Sequence, residues 1–193
     1  MTTSTTCARC EKTLTESDRV EASGRLYCRA CYETLRHQLQ QAVGALSKDV
    51  NYPLAAIGAV LGGVVGTLIW WGFTVVTNIA FGLVAVAIGF LVGQGAMRFA
   101  GGKRTTGLQV LAILVAAISF FVATYLVNMT FINQELAKRG EVWRIPFPPS
   151  NLRIFYRVVA AGFGLMDVVF LAIVVWQAWA IPRPVRLPET PSA

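Results

Sequence analysis

The chain has 193 residues, of which 55% are hydrophobic and only 14% charged, with a mean hydropathy of +0.56. That composition leaves too little polar surface to coat a soluble globule of this length, which excludes a water-soluble domain and points to an integral membrane protein. The net charge of +7 does not make it a nucleic-acid binder: residues 1–49 carry seven Lys or Arg against six Asp or Glu, and the remaining excess flanks apolar runs. Its expected partner is a bilayer with anionic headgroups, worth about 1 kcal/mol per basic residue near the surface.

The chain opens on four cysteines, Cys7, Cys10, Cys28 and Cys31, spaced as C-x2-C, seventeen residues, C-x2-C. Each pair can form a tight knuckle presenting two thiolates, and the loop between them brings the second pair round to complete a tetrahedron. One structural Zn²⁺ is the expected cofactor, with two disulfides, or one disulfide and two free thiols, as the alternative in an oxidising compartment. Four Cys ligands close the coordination shell, whereas catalytic zinc keeps a position open for water. His37, the only histidine, is expected to be a solvated side chain.

The stretch Cys7 to Tyr32, with Gly24, Tyr27, Cys28, Cys31 and Tyr32 in its closing half, resembles the second half of a LIM-type or zinc-ribbon finger. The resemblance covers about 26 residues and lacks the other zinc module of a full LIM domain. It implies a structural or binding module, assigned here to residues 1–34. Residues 35–50 follow as an amphipathic linker helix with Leu35, Leu39, Val43 and Leu46 on one face. Pro53 suits the start of the first membrane helix.

No Lys, Arg, His, Asp or Glu occurs in the 48 residues from Val50 to Met97. At about 1.5 Å per residue this makes roughly 72 Å of helix, more than twice a ~30 Å hydrocarbon core, so the run is expected to cross twice. Two later apolar runs complete an all-α body of four spans within residues 51–182, at Leu54–Val75, Ile79–Phe99, Leu108–Asn128 and Arg157–Ile181, with the first turn near Thr74 to Asn78. With no apolar core in the first fifty residues, the first span is expected to serve as its own insertion signal. Gly58, Gly62 and Gly66 on the first span, and Gly89 and Gly93 on the second, form small-xxx-small ridges that allow close helix packing, within this hairpin or between subunits.

Asp167 is expected near the tenth residue of the final run, where an ionised carboxylate costs at least about 2.5 kcal/mol and needs a proton or a partner; Gln94 and Gln109 are the candidates within the chain. Between the last two spans, residues 131–156 place Trp143, Phe147, Phe155 and Tyr156 among arginines and prolines, an interfacial pattern. A Pro-rich tail, 183–193, ends the chain. Four spans place both termini on one side. The need to keep four thiolates reduced makes that side the cytoplasm, and the Gly- and Ala-rich hairpin behind a zinc-ribbon head resembles bacterial polytopic membrane regions, implying the inner membrane.

No Ser–His pair, paired aspartates, HExxH or phosphate-cradling loop occurs, so an enzyme is not expected. The leading expectation is a non-enzymatic scaffold or accessory subunit that associates with other membrane protein subunits. The alternatives are a homo-oligomeric pore or transporter using Asp167, Gln94 or Asn128, and a zinc or redox sensor built on the four cysteines.

Overall fold

A computed structural model describes residues 6–78 and 84–185 and divides the chain into two compact units. The N-terminal unit holds a hairpin of β1 (Arg19–Ala22) and β2 (Arg25–Cys28), followed by α1 (Arg29–Ser47). The strands pair antiparallel, Arg19 opposite Cys28 and Ala22 opposite Arg25. Ser23 and Gly24 form the two-residue turn with φ of 52° and 71°, the left-handed pair that matches the twist of a tight hairpin. Helix α1 thus begins six residues ahead of the expected linker helix, directly on the last strand. Leu35 and Leu39 reach a small hollow lined also by Ala22, Tyr27 and Tyr32, but Leu39 stays 46% exposed, so the hairpin covers only the first part of the apolar stripe.

The second unit is helical: α2 (Tyr52–Thr77), α3 (Ala85–Phe99), α4 (Thr106–Lys138), α5 (Leu152–Gly162) and α6 (Leu165–Ala180). Asn51, Thr105 and Asn151 each cap the helix that follows by accepting the backbone N–H three residues on, at 3.0, 3.3 and 2.9 Å. Asn78 ends α2 in the left-handed conformation.

Four spans were expected, and the described residues give fewer. Only α2 and α4, at 26 and 33 residues, are long and apolar enough to cross a bilayer; α5 and α6 add a third crossing if that bent pair counts as one. Helix α3 has 15 residues, about 22 Å, short of a ~30 Å core. The start of its expected span, residues 79–83, lies outside the described residues. The expected single span Arg157–Ile181 is broken at Phe163 and Gly164, where the axis turns by 109°. Counting uncharged residues measures apolar length and is blind to such a break. Within the expected interfacial segment 131–156, α4 continues to Lys138 before an irregular stretch leads to α5.

The glycine ridges set the packing. Gly58 lies against Gly95 and Phe99, Gly62 against Leu91 and Gly66 against Ile88, an antiparallel seam between α2 and α3. Gly89 and Gly93 turn the other way and admit Val174 and Ile181 of α6 and its end. Small residues let backbones approach where lipid offers no hydrophobic drive, so van der Waals contact between the helices holds them together. Ala59, Val92, Ala96, Ala112, Ala116, Phe120, Val174 and Ala178 fill the centre of α2, α3, α4 and α6. At one end of this unit Ala55, Ala100 and Leu108 cluster, Tyr52 touches Gly107, and Gln109 Nε2 donates to the Trp179 carbonyl at 2.8 Å. The beginning of α2 and the end of α6 therefore meet at the same end of the bundle.

A Cβ on Gly62 would run into the main chain at Leu91, which no rotamer change relieves, while one on Gly72 meets nothing within 4 Å. Gly62→Val is expected to destabilise by about 1–3 kcal/mol, and Gly72→Ala to stay within about 0.5 kcal/mol. Thermal melts of both variants in one detergent check this, and equal midpoints would remove the ridge from its role.

Candidate metal centre

The four cysteines come from two local structures. Cys7 and Cys10 sit on a tight turn in which Cys7 N–H donates to the Lys12 carbonyl at 2.9 Å and Glu11 N–H returns to the Cys7 carbonyl at 2.9 Å. Glu11 takes φ 57° to make this reversal, and a bridge between Thr6 and Thr13 closes it. Cys28 ends β2 and Cys31 lies in the first turn of α1, so the second C-x2-C straddles a strand-to-helix junction. Ala8 N–H bonds to the Leu26 carbonyl at 2.8 Å and ties the first turn to the hairpin.

All four are free thiols whose sulfurs lie within 4.8 Å of one another. Cys10 Sγ and Cys28 Sγ are 3.8 Å apart, nearly twice a disulfide bond of about 2.04 Å. Two ligands at about 2.3 Å from one tetrahedral ion are about 3.8 Å apart, so this spacing fits a shared metal. Cys7 and Cys28 are buried, Cys31 is half-buried and Cys10 is exposed.

The electrostatics agree with the spacing. The Cys7 thiol is lowered to about 6, first by the Cys28 backbone N–H, which donates to its sulfur at 3.3 Å, and then by the N–H of Arg9. Cys31 is pushed up to about 12, first by its side-chain hydrogen bond with Cys28, then by burial and the other thiols. One thiolate is stabilised by fixed dipoles, but four crowded together repel unless a cation joins them. Such a cluster can hold one metal ion. His37 is exposed on α1 and lies outside the cluster.

The polar residues of the helical unit are placed differently. Asp167, expected in mid-span, stands in the first turn of α6, where Oδ2 accepts the Gly164 N–H at 2.8 Å. Its partner is a backbone donor at a helix start, not Gln94 or Gln109. Gln109 bonds to the Trp179 carbonyl, and Gln94 is half-buried on α3. On the other side of the break, Asn128 Nδ2 donates to the Val158 and Val159 carbonyls at 3.0 and 3.3 Å, pairing acceptors near the end of α5. Asn133 both donates to and accepts from Ile145, at 3.0 and 2.8 Å, and Tyr125 Oη donates to the Pro146 carbonyl at 2.6 Å. These partners were not singled out from the sequence as backbone ligands. The signal that was present is the Gly-Phe-Gly at 162–164 followed by Asp167, three residues after a candidate cap.

Compared with protein-family models, curated proteins and solved structures, the chain finds no match in any of the three.

Mutation and acid give a direct check on the cluster. Cys7→Ser is expected to lower bound metal from one ion per chain to a small fraction, measured as metal-to-protein ratio on the purified protein. Ligands must shed their protons to bind, so affinity falls with falling pH. Because the folded-state value of Cys7 lies below its ordinary 9.0, its thiolate favours the folded head fully above pH 9 and ceases to do so as pH falls through about 6. Release of the ion into a chromogenic chelator is therefore expected to rise steadily as the pH is lowered, and an affinity that does not change with pH would overturn the four-thiolate site.

Proposed function

We propose that this protein is a non-enzymatic membrane scaffold or accessory subunit, whose N-terminal head is held by one structural Zn²⁺ and contacts a protein partner. The observation that carries this reading is the set of four sulfurs close enough to share one ion on a compact unit of its own, in a chain whose Gln109, Asn128 and Asp167 bond to the backbone of the helical unit. Four thiolates favour zinc over harder cations and leave no open position for substrate. The hairpin turn at Gly24 and the strand-to-helix placement of the second Cys pair support the LIM-like or zinc-ribbon reading of the head.

The proposed setting is the bacterial inner membrane with both termini in the cytoplasm. Free thiols favour a reducing compartment, and the convergence of the α2 start and the α6 end supports placing both ends of the helical unit on one face. Asp167 serves as the cap of α6, which weakens the case for a conduit built around its charge. Native mass spectrometry of the chain extracted gently from its own membranes is the test. Foreign subunits in fixed ratio, lost in the Cys7→Ser, Cys10→Ser variant that still inserts, are the expected result; a homo-oligomer alone would overturn the accessory role and favour the pore.

A second reading, a zinc or redox sensor, is favoured by the exposure of Cys10, which gives oxidants a way to a sulfur whose three neighbours are more covered. Micromolar peroxide should then release the metal within minutes from the wild type. Metal that stays bound through millimolar oxidant would exclude this reading.

A further inference from the structure

Beside the break between α5 and α6 lies a groove of about 570 Å³, lined by Phe121 of α4 and by Phe155, Tyr156, Val159, Ala160 and Phe163. Its volume falls in the range of about 300–1,000 Å³ typical of small-ligand sites, and its walls are hydrocarbon and aromatic. Five of the six lining residues belong to α5 or its C-cap and fall on one side of that helix, at spacings of three and four. Phe163 stacks on Phe121 with centroids 6.3 Å apart, and the 109° turn that follows carries α6 away, so α6 adds no side chain to the lining.

The rim of this groove is cationic. Arg153 and Arg157 stand four residues apart on α5, both exposed, and each is three residues from a lining residue, Tyr156 and Ala160. Placing two like charges at this spacing costs helix stability unless an anion lies between or beside them. Neither takes part in an ion pair among the described residues, and residues 142–166 contain no acidic side chain at all while holding three arginines.

We propose that this groove binds one anionic phospholipid, an acyl chain lying on Phe121, Val159 and Phe163 and the phosphate held by Arg153 and Arg157. A hydrocarbon slot with a basic rim suits one lipid better than a partner helix. A helix would bring polar side chains or small-residue ridges, and this groove has neither a polar floor nor a glycine ridge to receive them. Basic rims beside membrane helices are a recurring way of selecting acidic headgroups. The site does not depend on the metal head, so it stands or falls separately from the proposed scaffold role.

The test uses the full chain in a mild non-ionic detergent, titrated with phosphatidylglycerol or phosphatidylcholine carrying identical acyl chains and read by native mass spectrometry. One phosphatidylglycerol per chain is expected at concentrations at least tenfold below those needed for phosphatidylcholine. Arg153→Gln with Arg157→Gln, both on exposed positions, should bring the two lipids to equal retention. Ala160→Phe, which fills the groove, should reduce retention of both by a similar factor. Equal binding of the two lipids by the wild type would reduce the groove to ordinary lipid contact and overturn the proposal. So would a preference that survives loss of both arginines.

Discussion

Backbone donors and acceptors in a hydrocarbon environment have no water to turn to, and the helical unit is organised around that constraint. Where α5 stops, Asn128 donates to the carbonyls of Val158 and Val159, the second of which lies in the last turn without an intrahelical donor; where α6 starts, the Asp167 carboxylate takes up the Gly164 N–H. The irregular stretch after α4 is treated alike, with Asn133 meeting both backbone groups of Ile145 and Tyr125 meeting Pro146. At the break, backbone groups on both sides are met by a side chain from α4 or from the first turn of α6. Helix α4 is thus the post to which the last third of the helical unit is tied.

Close packing is the complementary device. In water the α2–α3 pair would be held by burial of large side chains; here glycine and alanine line the contact and the large aliphatic side chains Leu54, Ile57, Leu61, Val64 and Leu68 point outward. The glycine ridge of α2 is already occupied by α3, and those of α3 by α6 and its end. Association with another chain through these same faces would require the hairpin to open.

The sequence shows plainly what depends on residue type at fixed spacing. Four cysteines in two C-x2-C pairs foretell the sulfur cluster, because the spacing alone limits how the chain can bring them together. Absence of charge between Val50 and Met97 foretells apolar helices. What it conceals depends on three-dimensional choice. Asp167 reads as a costly mid-span acid when the expected span Arg157–Ile181 is treated as one helix, and as an ordinary cap once Gly162 and Gly164 are seen to bracket a break. The same apolar runs give four spans by length and, among the described residues, two, or three with the bent pair, by helix geometry, because the described part of α3 is short and the last run is bent. Nor could the sequence tell that the second cysteine pair bridges a strand and a helix, since Leu35, Leu39 and Val43 signal the helix only after its true start at Arg29.

The fifteen described residues of α3 are shorter than a bilayer core, and what holds them in the bundle is the seam where Gly58, Gly62 and Gly66 of α2 receive Gly95, Leu91 and Ile88. The two helices are therefore one hairpin in mechanical terms, and a substitution on α2 that spoils the seam takes away the footing of α3 as well.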